Sequence, residues 1–362
     1  MEIKLDLKPF VIEGIPPDRP LIMAGPCSAE SEMQMVETAK ALAAINIKIF
    51  RAGIWKPRTR PGTFEGYGSL ALPWMKTVKD ETGMYTATEV ANVKHVWEAL
   101  KYGIDIFWVG ARTTANPFAV QEIAEALKGV DIPVLVKNPV NPDLDLWIGA
   151  IERFHQAGIK RLAACHRGFS IYEKSVYRND PNWQIPIELK RRIPNLPLIN
   201  DPSHICGSRD RLLEVSQKAM DLNFDGLIIE SHYNPEIAMS DASQQLTPKA
   251  LGEMLAKIVL RKAEVENGSL VTLEQLRAEI DKIDDMVMDI FEKRMKIADQ
   301  IGRYKKEKNI AILQSKRWDN IIRKRLEMGE KKGLSSEFID IVFRAIHEES
   351  IDHQTNVMNK KD

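Results

Sequence analysis

The sequence predicts an α/β fold, a (β/α)8 TIM barrel, followed by a small all-α domain of three helices that dimerises. Between Leu21 and about Arg261, short apolar runs alternate with amphipathic helical stretches. At the polar segment AEVENGSL the strand signals stop, and beyond it apolar residues recur at helical spacing. The implied boundaries are 1–262 for the barrel with a short N-terminal hairpin, 263–270 for a linker and 271–362 for the helical domain. A chain of 362 residues suits a barrel with an appendage.

The leading residues MEIKLDLKPFVIEGIPPDRP alternate and then turn, which predicts a hairpin over the barrel floor. The strand candidates follow in order as LIMAGPCS, IKIFRAG, MYTATEV, IDIFWVGAR, PVLVKNP, RLAACHRG, LPLINDPSH and GLIIESH. They are apolar throughout, as parallel strands covered on both faces must be. Stretches such as SEMQMVETAKALAAI and ANVKHVWEALKYG supply the helices between them. Eight units in roughly 240 residues match a barrel. An open doubly wound sheet is the alternative fold, but no strand leads into its glycine-rich dinucleotide turn.

In the C-terminal part, Leu273, Leu276, Ile280, Ile283, Val287, Ile290, Ile297 and Ile301 step by three and four along one long helix. Further helices are expected over Lys316–Met328 and Ser335–Met358, parted by GEKKG. A helix of some 35 residues exceeds 50 Å by a rise of about 1.5 Å per residue, too long for so small a domain to bury alone. A homodimer through these helices resolves that excess.

Charge and cysteine content narrow the function classes. The chain carries 51 basic and 51 acidic residues, which argues against a sequence-independent nucleic-acid binder. No stretch approaches the ~20 apolar residues of a membrane span, and the N-terminus lacks the apolar core of a signal peptide. Cys27, Cys165 and Cys206 make no disulfide framework, so a reducing cytoplasm is the expected compartment.

Unusual polar groups recur at the C-terminal ends of the predicted strands, where barrel enzymes build their sites. Cys27 ends the first and Arg51 the second, with Lys56 and Arg58 in the loop beyond; Arg112, Lys137, Arg167, His204 and Glu230 end the fourth to the eighth. Cys27, His204, Glu230 and Asp241 form a mixed thiol, imidazole and carboxylate set suited to a divalent transition metal, whose identity the ligand types leave open. Arg51, Lys56, Arg58, Arg112, Lys137 and Arg167 form a cationic set that would repel itself unless anions lie between. That set implies at least one phosphate and one carboxylate on the ligand. Cys165 reads as core and Cys206 as packing, His166 as contact or scaffold, and Arg60 as solvent-facing.

GPCSAES, RAGIWKPRT, VGAR, HRG, DPSH and DGLIIESHYNPEIAMSD together resemble the short type Iβ class of 3-deoxy-D-arabino-heptulosonate 7-phosphate (DAHP) synthases. The resemblance implies condensation of phosphoenolpyruvate with erythrose 4-phosphate, with Cys27, His204, Glu230 and Asp241 holding Mn, Fe, Co or Zn. It implies Arg51 and Lys56 for the phosphoenolpyruvate carboxylate. Gly110 and Ala111 join Arg112, Lys137 and Arg167 at its phosphate. Arg58 and Thr59 of KPRT fall on the erythrose phosphate. Lys56 and His204 are the candidate proton carriers. The related 3-deoxy-octulosonate 8-phosphate synthases share GPC-like and HRG-like motifs but lack KPRT, which favours the tetrose. Arg60 after KPRT, and SHYNP in place of VHPNP, depart from the usual pattern.

Arg294 lies in phase with the apolar seam, where an arginine requires an anion. Lys305 lies about three turns on, on nearly the same face, and Ser350 and Gln354 share a face of the last helix. Arg277 precedes Arg294 by about 25 Å of helix, so it can share a small ligand with Arg294 only from a second chain packed antiparallel. LRAEID, EKRMKIADQIGRYK and EESIDHQ resemble the all-helical chorismate mutases. The resemblance implies rearrangement of chorismate to prephenate without metal or cofactor. Arg277 (from the partner) and Arg294 would meet the carboxylates, Lys305 and Gln354 the ether oxygen, and Arg317 and Ser350 would support them. Trp318 stands where an acid often holds the substrate hydroxyl. The combined reading is a bifunctional enzyme of aromatic amino acid biosynthesis with feedback through its helical domain. The rivals are a non-catalytic, metabolite-sensing dimerisation module in place of the mutase, and an eight-carbon synthase in the barrel.

Overall fold

The computed structural model describes residues 2–10, 20–57, 62–172, 175–261 and 270–360. The chain divides into two compact units, Met1–Ala263 and Glu264–Asp362. The first is a closed parallel barrel with its strands in sequence order: β1 (Leu21–Gly25), β2 (Ile49–Arg51), β3 (Tyr85–Val90), β4 (Ile106–Val109), β5 (Val134–Lys137), β6 (Leu162–His166), β7 (Leu198–Asn200) and β8 (Gly226–Glu230). The ladder from Leu21↔Gly226 to Gly25↔Glu230 closes it. Its helices are α1 (Glu32–Ala44), α2 (Leu72–Thr82), α3 (Val93–Lys101), α4 (Ala111–Thr114), α5 (Pro117–Ala126), α6 (Leu144–Gln156), α7 (Gln184–Arg192), α8 (Pro202–Cys206), α9 (Leu212–Asp221) and α10 (Pro248–Leu255). Side chains of Ser31, Asn92, Asn116, Asp143, Asp201 and Thr247 cap helix N-termini by accepting first-turn N–H groups.

Two apolar layers follow from the alternation of side chains along each strand. Met23, Ile49, Ala87, Ile106, Trp108, Leu135, Ala163, Cys165, Ile199 and Ile228 form the inner cluster with Phe10. Their alternates, such as Ala24, Phe50, Phe107, Val136 and Ala164, join the larger cluster packed by the helices. Cys27, Cys165 and Cys206 are free and buried.

The described part of the leading segment, residues 2–10, forms no strand, contrary to the expected hairpin. Its backbone donors go elsewhere: Ile3 N–H to Arg192 O at 2.7 Å and Lys8 N–H to Lys160 O at 3.0 Å. Phe10 still reaches the inner cluster. The other arm of the expected hairpin lies outside the described residues.

His166 occupies the outward side of β6, packed against Phe169, Trp183 and Phe224. Its Nε2–H donates to Pro181 O at 2.6 Å, and its Nδ1 faces Asn200 Nδ2 at 3.1 Å, so both nitrogens are satisfied in the neutral ring. Burial pushes its pKa from 6.5 down to about 3. It is scaffold.

The second unit comprises α11 (Leu270–Glu307), α12 (Ser315–Lys331) and α13 (Ser336–Asn359). α12 runs through the first residues of GEKKG, which the sequence assigned to a turn. The turn comes at Gly333, with φ 74 in the left-handed region. Gly329 is helical, and α13 packs where its side chain would be: a Cβ would stand 2.5 Å from Ile339 Cγ1. Among the described residues, no helix is long and apolar enough to cross a membrane.

Two predictions follow from this packing. Gly329→Ala should destabilise the helical unit by about 1–3 kcal/mol through overpacking, despite alanine's higher helix propensity; a raised unfolding midpoint would contradict it. Between pH 6.5 and about 3 the unfolded chain holds the His166 proton that the barrel refuses, so stability falls as pH drops through that window. The His166 contribution to the slope approaches ~1.4 kcal/mol per pH unit. It should disappear in His166→Gln, as urea titrations across the window would show.

Candidate active sites

The inward register that fills the barrel with apolar groups delivers polar ones at its C-terminal rim. Two residues beyond Met23, Ile49, Ala87, Leu135, Cys165, Ile199 and Ile228 come Gly25, Arg51, Glu89, Lys137, Arg167, Asp201 and Glu230. Arg51 is 1% exposed; its NH1 donates to Glu230 Oε1 at 3.1 Å and to Pro26 O at 3.0 Å. Its guanidinium lies 4.8 Å from the Trp108 ring centroid. Lys137 is bound to Asp201 Oδ2 at 2.6 Å. These two cations are therefore neutralised within the chain. The expected cationic set thus carries carboxylate partners at two of its members, Glu230 at Arg51 and Asp201 at Lys137.

Cys27 Sγ, a Glu230 oxygen and an Asp241 oxygen lie within 4.8 Å of one another. The Cys27 thiol donates to Asp241 Oδ2 at 3.2 Å, and Lys56 Nζ donates to Cys27 Sγ at 2.9 Å. His204 Nδ1 is 2.8 Å from Asp201 Oδ2, and its Nε2 is 3.7 Å from Glu230 Oε1. With Nδ1–H committed to Asp201, the Nε2 lone pair turns toward the carboxylate. Two electron-pair donors approaching like this suit a shared cation, and a carboxylate behind the imidazole is the usual support of a metal-binding histidine. Cys27, Glu230 and Asp241 thus fit a divalent metal by donor type and convergence, with His204 Nε2 facing Glu230 beside them.

The charge states agree with that arrangement. Burial, then the Glu230 carboxylate, push the Cys27 thiol up to about 12. Burial lowers His204, favouring the neutral ring. Against the opposing effect of burial, Arg178 and then His204 hold Asp241 well below the usual carboxylate range. Burial works against Lys56 as well, yet Cys27 and then the Glu230 carboxylate raise it.

Beside this cluster is a cavity of about 280 Å³ lined by Lys56, Gly110, Ala111, Arg112, Lys137, Arg167, His204 and Asp241. Arg167 donates to Asn179 Oδ1 at 2.6 Å, and burial lowers it to about 10, which leaves it cationic. At Gly110 a Cβ would stand 2.2 Å from Glu89 Oε1, so the Glu89 side chain would have to shift to admit one. Arg58, Thr59 and Arg60 lie outside the described residues.

The sequence reading passed over Glu89, Arg178, Asn179 and Asp201, although all but Asp201 also line this cavity. Strand parity could have found Glu89 and Asp201. No local pattern marks Arg178, which arrives from a loop to meet Asp241 Oδ1 at 2.9 Å.

In the helical unit a cavity of about 330 Å³ brings together Arg294, Lys305, Arg317, Trp318, Ser350 and Gln354. Arg294 donates to the Ser350 hydroxyl and, at 3.4 Å, to Ile346 O. Lys305 Nζ donates to Ile312 O at 2.6 Å. Gln354 Nε2 donates to Ser350 O at 3.0 Å, while its Oε1 is buried without a hydrogen-bond partner. Burial lowers both Arg294 and Lys305. Trp318 stacks on His347 with ring centroids 4.0 Å apart. Arg277 is not among the residues lining this cavity; it is exposed and paired with Glu274 at 2.6 Å.

The DAHP synthetase I family model matches residues 3–266, and the chorismate mutase type II model matches residues 276–355. A phospho-2-dehydro-3-deoxyheptonate aldolase of Thermotoga maritima is 31% identical over 237 residues, covering 66% of this chain and 68% of its own length. A 2-dehydro-3-deoxyphosphooctonate aldolase of a Synechococcus species is 23% identical over 260 residues, covering 67% and 89%. The crystal structure of a Thermotoga maritima DAHP synthase matches with TM-score 0.60 at 31% identity, covering 66% of this chain and 68% of that one. A truncated 3-deoxy-D-arabino-heptulosonate 7-phosphate synthase from the same organism gives 0.58 at 28% identity, covering 66% and 84%. With matched models on both units, this chain belongs to the DAHP synthetase I family and joins that enzyme's barrel to a chorismate mutase domain.

Proposed function

We propose that the barrel condenses phosphoenolpyruvate with erythrose 4-phosphate and that the helical domain converts chorismate to prephenate. The observation that carries the first assignment is the donor set of Cys27, Glu230 and Asp241 at the edge of a cavity lined by Lys56, Arg112, Lys137 and Arg167. Lys56 and Arg51 serve the phosphoenolpyruvate carboxylate. Arg112, Lys137 and Arg167, with the Gly110–Ala111 backbone, serve its phosphate, and Arg58 and Thr59 the tetrose phosphate. These cations hold two mutually repelling anions in one orientation, chiefly a positioning contribution. Cys27, His204, Glu230 and Asp241 would hold a divalent transition metal, which when bound would supply Lewis-acid polarisation of the aldehyde. The enol carbon then bonds to the aldehyde carbon, water adds to the resulting cationic carbon, and phosphate departs. Lys56, at Cys27 Sγ, and His204, with its Nδ1 at Asp201, are the proton carriers proposed at the cavity edge.

In the helical domain Arg294 takes one carboxylate, and Lys305 and Gln354 face the ether oxygen, with Arg317 and Ser350 in support. A unimolecular rearrangement needs conformer selection and charge stabilisation, and this cavity offers both. The apolar residues on α11 support a homodimer: Leu276, Ile280, Ile283 and Ile290 are each more than half exposed in the single chain. A partner packed antiparallel covers them and supplies Arg277. Prephenate or chorismate held in this cavity slows the barrel. The free thiols of Cys27, Cys165 and Cys206 favour a reducing compartment, the cytoplasm.

Phosphoenolpyruvate loss with erythrose 4-phosphate should cease on thorough chelation and return with Mn²⁺; turnover indifferent to chelation would remove the metal assignment. In the same assay prephenate should lower the rate, and an unchanged rate with binding shown separately would refute the feedback. Arg277→Ala and Gln354→Ala should each reduce mutase activity by at least 100-fold, about 2.7 kcal/mol of transition-state stabilisation. Refolded together, they should recover roughly a quarter of the sites, because one site of each mixed dimer is intact. No recovery in demonstrated mixed dimers would place Arg277 outside the site.

A further inference from the structure

Gln244 and Gln245 take no part in the roles assigned above, yet both are fully buried beside the donor cluster. Gln245 is extended, with φ −82 and ψ 136. Its amide spans two loops: Oε1 accepts the Cys27 N–H at 2.9 Å, and Nε2 donates to Ser240 O at 2.8 Å. Gln244 reaches the other members: Nε2 donates to Glu230 Oε2 at 2.7 Å, and Oε1 accepts from Arg178 NH1 at 2.9 Å. That same NH1 donates to Asp241 Oδ1 at 2.9 Å.

The segment carrying these amides is anchored. Leu246 N–H donates to Glu230 O at 3.0 Å, and Arg209 Nε donates to Gln245 O at 2.8 Å. What it holds is strained: Asp241 has φ 48, a left-handed conformation costing a non-glycine residue about 1–2 kcal/mol. Such a backbone persists where neighbours fix it. The loops meet again at Ser28 and Ser240, whose hydroxyls are 2.5 Å apart, and at Met239 N–H, which donates to Glu30 Oε1 at 3.0 Å.

We propose that Gln245 is a positioning residue for the metal centre, its amide fixing the spacing between the loop carrying Cys27 and the loop carrying Asp241. The task needs an acceptor and a donor on one rigid group. A carboxylate would meet Ser240 O with a second acceptor, and an apolar isostere would leave a buried N–H and C=O unpaired. Gln244 performs the matching task for Glu230 and, through Arg178, for Asp241. The inference rests on the metal reading of Cys27, His204, Glu230 and Asp241.

The test uses full-length protein stripped of metal and titrated with Co²⁺, reading affinity and the thiolate-to-cobalt charge-transfer absorption; urea unfolding without metal checks the fold. Gln245→Met and Gln245→Glu should remain folded, bind Co²⁺ about 10–100-fold more weakly and show a weakened or shifted band. Gln245→Asn keeps both polar groups and should recover part of the affinity. Unaltered affinity and spectrum in Gln245→Met and Gln245→Glu would overturn the proposal. So would failure of all the variants to fold without metal, which would assign the amide to folding alone. A missing charge-transfer band in the unaltered chain would overturn the metal reading itself, and the proposal with it.

Discussion

The Arg51–Glu230 ion pair, 3.1 Å long with both side chains 2% exposed, shows the constraint on which the barrel site depends. A charge taken out of water is tolerable only when paired and hydrogen-bonded. Arg51 meets that condition at NH1, through Glu230 and Pro26 O, and over the face of Trp108, while its Nε is buried without a hydrogen-bond partner. Removing either partner would strand a charge inside the barrel. The same rule runs around the rim, where Lys137 meets Asp201 and Arg178 meets Asp241.

This pairing changes how the cationic rim acts. A ring of unbalanced cations would bind anions strongly and without discrimination. Arg51 and Lys137 are balanced internally, and Lys56, Arg112, Lys137 and Arg167 line the cavity together with Glu89 and Asp241. The paired carboxylates serve a second purpose. Glu230 belongs to the donor set and Asp201 orients His204, so one layer of ion pairs supports the barrel, the cations and the candidate metal ligands together.

The helical unit solves a related problem without strands. Arg294 and Lys305 share a face of α11, Ser350 and Gln354 share a face of α13, and both faces line one cavity. Close helix approach makes this compact: at Gly302 a Cβ would stand 3.0 Å from Gln354 Cα. The site is assembled by helical period and small residues, where the barrel uses strand parity and closure.

The sequence by itself determined the strand-and-helix alternation, the change to an all-helical region and nearly every polar group at a strand end. These are local properties: apolar runs and three-four spacing follow from periodicity, and a short strand limits where Arg51, Lys137 or Glu230 can point. The helical cavity was legible for the same reason, since one helix face is fixed by residue spacing. Tertiary structure decided the pairings. Asp201 with Lys137 and His204, Arg178 with Asp241, and Gln245 between Cys27 and Ser240 join residues far apart in the chain. Barrel closure brings them together, and no local pattern encodes it. The path of residues 2–10 was likewise decided by acceptors at Arg192 and Lys160, distant in sequence. Gly329 reads as a breaker locally, yet it lies within α12, with Ile339 packed where a side chain would be.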